Sequence, residues 1–145
     1  FRSKKKDKIL CAKYRKGHFE GVLDVMGRLT NLVNPKKIFM GKKDYQQYFL
    51  IKNYLKNKYK TSIIPCKTIR DKSKIALSSR NNHLDLNGIK KAGFLSKSLI
   101  KLKRNLVNSK KIKQNLRIQI KYFETLLKIK IEYLELRSIK NLKIS

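Results

Sequence analysis

Histidine and cysteine each occur only twice in the 145 residues, and tryptophan does not occur at all. His18 and His83 stand far apart with no clustered cysteine, so no protein-built zinc site is expected. Cys11 and Cys66 lie in short apolar runs without the spacing of a metal site or a redox pair. They read as buried free thiols in a reducing cytosol, which places the protein in the cytoplasm. No apolar run approaches the ~20 residues that cross a bilayer, so no membrane partner is expected. Neither an initiator methionine nor a signal-peptide pattern precedes Phe1, and the chain is expected to be a fragment. Acidic residues are scarce too: 9 Asp and Glu face 38 Lys and Arg, a formal charge of +29.

Such a charge ordinarily points to nucleic acid or an anionic membrane. Here the lysines run along the whole chain instead of gathering in one arm, and they travel with abundant Asn and Ile. That pattern suggests a compositional drift at tolerant surface positions. No aromatic-and-basic platform for single strands stands out, because most aromatics fall within apolar helical stripes. Weak, salt-sensitive binding to polyanions is expected, but no specific nucleic-acid partner. The 41% hydrophobic content suffices for one domain core or parts of two.

Period and punctuation give the order of elements. Lys8–Ala12 reads as a short strand. A helix follows from Phe19, with Val22, Leu23, Met26, Leu29 and Val33 on its apolar stripe, and Pro35 ends it. Lys37–Met40 reads as a buried strand, then a helix runs from Asp44 to about Lys58 with Tyr45, Tyr48, Ile51, Tyr54 and Leu55 on one broad face. Ser62–Cys66 is the next strand. Alternation of strand and helix implies a parallel sheet with right-handed crossovers. After Asn81 come two helices. The first is capped by Asp85 and carries Ile89, Ala92, Leu95, Leu99, Leu102 and Leu106. The second, beyond a break at Asn108-Ser109, carries Ile112, Leu116, Ile120, Phe123 and Leu127. Lys130–Leu136 reads as a strand.

Three polar blocks fall after the carboxyl ends of the three expected strands, where ligands of such sheets bind. They are Arg15–Gly21, Gly41–Gln47 and Thr68–Asn81. In the second, a strand ending in glycine opens through lysines onto a helix, a geometry suited to phosphate. In the third, adjacent hydroxyls beside an arginine suit a polyphosphate. The same residues are also ordinary strand-stop, N-cap and turn chemistry.

In this order, Arg15-Lys16-Gly17-His18-Phe19-Glu20-Gly21-Val22, Gly41-Lys42-Lys43-Asp44-Tyr45-Gln46-Gln47, Thr68-Ile69-Arg70 and Leu77-Ser78-Ser79-Arg80-Asn81 resemble pantothenate synthetase (pantoate–β-alanine ligase). The resemblance implies the fold class: α/β, the C-terminal half of a Rossmann-like parallel-sheet nucleotide-binding domain over 1–81, then part of a small α+β C-terminal domain over 82–145. It implies ATP-dependent condensation of pantoate with β-alanine through a pantoyl adenylate, with Mg²⁺, and a homodimer when full length. By the same resemblance Lys43, Ser78 and Arg80 are catalytic residues at the phosphates. The nucleotide-binding set is Gly41, Lys42, Lys43, Asp44, Ile69, Leu77, Ser78, Ser79 and Arg80. Asp44 is assigned to the ribose and the Ile69 backbone to the adenine. Gln47 is assigned to pantoate, and Arg15 and His18 to the substrate side; Gln46 is structural, and His83 a loop residue.

The chain departs from the family pattern at Lys42, where Glu is usual, at Lys16 and Lys67, where Pro is usual, and at Lys74, often Gly. The family's His-x-Gly-His block and first pantoate glutamine are absent from the sequence, and both would precede Phe1. The competing readings are another adenylate-forming nucleotidyltransferase-like enzyme and a basic nucleic-acid-binding domain.

Overall fold

The computed structural model describes residues 9–56, 58–106 and 111–144. The chain divides into two compact units, Phe1–Thr68 and Ile69–Ser145, each with its own contacts.

In the first unit a single helical turn, α1 (Cys11–Tyr14), leads to α2 (His18–Val33), β1 (Lys37–Gly41), α3 (Tyr45–Lys56) and β2 (Ser62–Cys66). β1 and β2 pair in parallel, with Lys37 opposite Ser62 and Gly41 opposite Cys66. This is the mixed α/β build with a parallel sheet that the alternating pattern implies. α3 packs on both strands and on α2. Leu23, Ile51 and Leu55 form the core, with Val22, Met26, Ile38, Met40, Tyr54 and Ile63 packed around them. Helix and helix approach closely at Gly27, where a methyl group would lie 3.0 Å from the Tyr54 hydroxyl. Tyr59 Oη donates to the Gly27 carbonyl at 3.1 Å, and Thr61 Oγ1 to the Pro35 carbonyl at 2.7 Å, so β2 starts beside β1.

Two expectations in this unit need correction. The apolar stripe of α2 is buried only at its start: Leu29 and Val33 are exposed. The expected first strand is a helical turn instead, in which Ala12 N–H donates to Ile9 O and Lys13 N–H to Leu10 O. Lys8 lies outside the described residues. A four- or five-residue apolar run fits either element, and without a ladder partner Cys-Ala-Lys-Tyr closes local hydrogen bonds. Pro35 does stop α2, and Asn34 before it turns left-handed (φ 46°), its N–H donating to Thr30 O at 2.9 Å.

The second unit begins with a tight antiparallel hairpin. Arg70 bridges Ala76, Leu77 N–H donates to Ile69 O at 3.0 Å, and Asp71 N–H to Ile75 O at 2.9 Å. A 3₁₀ turn, Ser79–His83, follows, then α4 (Leu86–Leu106) and α5 (Ile112–Leu127). Asp85 caps α4, accepting from Gly88 N–H at 2.6 Å. The hairpin turn rests on α4: Gly93 leaves room for Ser73, and Ser96 Oγ donates to Lys74 O. Leu106, Leu116, Phe123 and Leu127 are buried. The expected break at Asn108-Ser109 lies outside the described residues. The expected strand Lys130–Leu136 does not form; it is irregular, tied to α5 where Glu124 Oε1 accepts from Ile131 N–H at 2.9 Å. Alternating residues make a strand only against a neighbour, and among the described residues the nearest pairing is the Arg137–Ile144 bridge further on.

Lys74 sits at φ 69°, the left-handed region that glycine occupies without a Cβ penalty. The usual glycine there therefore has a backbone reason. Relief of roughly 1–2 kcal/mol of Cβ strain, offset by glycine's extra chain entropy, predicts that Lys74→Gly raises stability by about 0.5–1 kcal/mol. Urea unfolding measures it; a loss of stability would refute the strain.

Candidate nucleotide and substrate site

The parallel pairing puts the carboxyl ends of β1 and β2 at the same sheet edge, Gly41 beside Cys66. From Gly41 the chain makes a 3₁₀ turn, Lys42–Asp44, and enters α3 without a break. Gly41 has ordinary extended torsions (φ −67°, ψ 133°), and a methyl group built there meets nothing within 4 Å. The protein's own packing does not demand glycine at this point. Lys42, Lys43 and Asp44 are exposed on the turn, and Gln47 is half-buried on the first turn of α3.

Gln46 behaves differently from its neighbour. It is 7% exposed, and its Nε2 donates to the Ile9 carbonyl at 2.7 Å. It thereby ties the segment ahead of α1 to the start of α3, as its structural assignment expected. Its Oε1 is buried without a hydrogen-bond partner among the described residues. Arg15 is exposed in the link to α2, its carbonyl accepting from His18 N–H at 3.3 Å. His18 opens α2 after Gly17, which is left-handed at φ 74°, and its ring lies 4.9 Å from that of Phe19.

In the second unit the hairpin holds Ile69 and Leu77 opposite each other, both side chains exposed. Arg70 Nη1 donates to Lys74 O at 2.9 Å and to Ser96 Oγ at 3.0 Å, fixing the hairpin to α4. Ser78, extended at φ −159°, caps the 3₁₀ turn by accepting from Arg80 N–H at 3.3 Å. Asn81 Nδ2 donates to Ala76 O at 3.0 Å and locks the turn to the hairpin. Ser79 and Arg80 are exposed on this turn. Backbone caps thus engage Asn81 and Ser78, while Ser79 and Arg80 stay exposed beside them.

Residue by residue, Gly41, Lys42, Lys43, Asp44 and Gln47 share one strand–turn–helix in the first unit. Ile69, Leu77, Ser78, Ser79 and Arg80 share one hairpin-and-turn in the second. Positioning residues emerge that the motif reading left without a role. Asn81 was legible inside its block, whereas Ser96 carries no signal within α4.

The sequence model described as pantoate-beta-alanine ligase matches residues 2–145. The chain belongs to that family. It is 45% identical over 127 residues to a bifunctional pantoate ligase/cytidylate kinase of Prochlorococcus marinus (strain AS9601), covering 87% of this chain and 24% of the relative. It is 39% identical over 127 residues to a pantothenate synthetase of Campylobacter hominis, covering 87% and 46%. Among solved structures, pantothenate synthetase from Thermus thermophilus superposes with a TM-score of 0.88 at 26% identity, over 99% of this chain and 52% of that one. Pantoate-beta-alanine ligase from Francisella tularensis, complexed with beta-gamma ATP and beta-alanine, gives 0.76 at 30% identity, over 95% and 49%. The chain spans about half the length of the pantothenate synthetases it matches and about a quarter of the bifunctional relative. The mixed α/β fold with its parallel sheet is that of these ligases, in keeping with a Rossmann-like description. Among the described residues no helix is long and apolar enough to cross a membrane.

Proposed function

We infer that this chain serves an ATP-dependent ligase that joins pantoate to β-alanine, giving pantothenate, AMP and pyrophosphate. The observation that carries the reading is the family match over residues 2–145, with the polar blocks in family order. In the first step a pantoate carboxylate oxygen attacks the α-phosphorus of ATP, the bond to the β-phosphate bridge breaks, and pyrophosphate leaves. In the second the β-alanine amine attacks the acyl carbon, loses a proton, and AMP departs. Negative charge grows on phosphoryl oxygens, so fixed cations and donors stabilise the first step.

Lys43 and Arg80 supply that charge and Ser78 a hydroxyl donor. Gly41 lets the nucleotide approach the backbone, Asp44 accepts from ribose hydroxyls, the Ile69 backbone meets the adenine, and Leu77 belongs to the nucleotide-binding set. Lys42 and Ser79 border the phosphates. Gln47, with paired amide donor and acceptor, holds pantoate, and Arg15 and His18 line the substrate side. The reading takes Mg²⁺ as the companion of the ATP phosphates. The full-length protein is read as a cytoplasmic homodimer, with a domain division after residue 81.

The direct test is pantoate-dependent exchange of pyrophosphate into ATP by the full-length protein. Exchange driven equally well by another acid would favour a different adenylate-forming enzyme. Gly41→Ala gives a second check: among the described residues nothing lies within 4 Å of the new methyl, so stability should hold. The KM for ATP should rise by about tenfold as backbone approach is blocked. An unchanged KM would remove Gly41 from the site.

A further inference from the structure

We propose that the exposed basic face of α4 is a sequence-independent binding surface for single-stranded nucleic acid, separate from the ligase chemistry. Helix α4 contains Lys90, Lys91, Lys97, Lys101, Lys103 and Arg104 and no Asp or Glu. Four of these, Lys90, Lys97, Lys101 and Arg104, recur at spacings of seven, four and three and are all exposed. At 100° per residue they fall on one narrow face, over a length of about 21 Å. Like charges at these spacings destabilise a helix, and α4 carries no acid to offset them. Four cations aligned on one exposed face, with no carboxylate on the helix, are the observation that carries the proposal.

Phe94 adds the second element. It lies on the same face, four residues after Lys90 and three before Lys97, and its ring remains 40% exposed. A large aromatic left in water among aligned cations matches what a single strand needs: phosphates meet the lysines while a base stacks on the ring. Duplex DNA offers the phosphates but keeps its bases stacked inside, and an anionic lipid surface offers nothing to stack. The occupant favoured by this face is therefore a single strand.

The test titrates a fluorescent oligothymidylate with the purified protein over a range of salt. Replacing Lys90, Lys97, Lys101 and Arg104 by Gln should weaken binding at least about tenfold and flatten the log–log salt slope by about 3, at roughly 0.7 per lost phosphate contact. The comparison variant replaces Lys36, Lys56, Lys60 and Lys67, all exposed in the first unit, by Gln and removes the same charge. It should leave both nearly unchanged. Phe94→Leu keeps apolar bulk and should cost about fivefold or more without altering the salt slope. Equal losses from the two quadruple variants would overturn the proposal in favour of diffuse charge. Equal or tighter binding of duplex DNA or phosphatidylserine vesicles would overturn the single-strand assignment, as would an unaffected Phe94→Leu. Pantothenate synthesis by the full-length protein should be the same with and without the α4 substitutions; a matching loss would mean that the face belongs to the enzyme.

Discussion

Lys43→Ala, placed in the full-length enzyme, should lower the rate of pantoyl-adenylate formation by about 10²–10³, and Arg80→Ala by a similar factor. On the proposed function, each removes a cation that stabilises charge growing as the carboxylate attacks the α-phosphate. Both residues stand exposed on short 3₁₀ turns, Lys43 after β1 and Arg80 after the hairpin. Exposed substitutions of this kind change stability by only about 0.5 kcal/mol, so the melting temperature should barely move. The activity loss is then a statement about the transition state. The double variant gives a sharper result. If both cations act on the phosphates of one nucleotide, removing the second after the first costs less than its single loss, because the two act as a unit. Fully multiplicative losses would mean that they serve different steps. Losses below threefold for each would leave the lysine and arginine as surface charge, the bland reading of both.

What could be read from the residues was what local physics decides. Glycine and proline punctuation, the apolar period of α3 and the Asp85 cap gave β1, α3, β2 and α4 nearly in full. Ile51 and Leu55, placed on the apolar face of α3, are completely buried. What failed depended on partners. Lys8–Ala12 and Lys130–Leu136 both alternate or run apolar as strands do, yet a strand is defined by the ladder beside it, and these segments have none among the described residues. Leu29 and Val33 keep an apolar spacing along α2, but the face that is buried runs through Phe19, Leu23, Gly27 and Thr30, so those two lie off it and stay exposed. The site divides the same way. Its motif residues were visible because their chemistry is local, as with the Gly41 turn and the Ser78 cap. The residues that hold those motifs in place, Gln46 on Ile9 and Ser96 on Lys74, act across 37 and 22 residues of sequence, and no local pattern announces such a contact. Lys74 shows the converse. Its departure from glycine was legible as an oddity, but only the φ of 69° gives the reason.

The 145-residue chain by itself should show no measurable pantothenate synthesis, although it should retain weak affinity for ATP. The sequence supplies Lys43, Ser78 and Arg80 for the phosphates, but its two histidines, His18 and His83, stand in no His-x-Gly-His spacing. In the family resemblance that paired-histidine block stabilises the phosphates during adenylation, and a further glutamine shares pantoate with Gln47. Losing one well-aimed donor costs about 10²–10³ in rate, and several such losses together place turnover below detection. Binding falls less, since Gly41, Asp44 and the hairpin contacts remain. Among the described residues the two strands also have no further partner at their outer edges, with Phe39 66% exposed on β1, so the isolated chain should self-associate or pair with another strand. The assay combines purified chain, ATP, Mg²⁺, pantoate and β-alanine, and follows AMP and pantothenate while light scattering reports association. A segment carrying a relative's His-x-Gly-His block, supplied in trans, should raise the rate and lower the scattering together, because the same strands that complete the site would cover the edge. Turnover by the chain alone at a rate typical of enzymes, on the order of 1–10 per second, would show that its own residues suffice and that the histidine block is dispensable here.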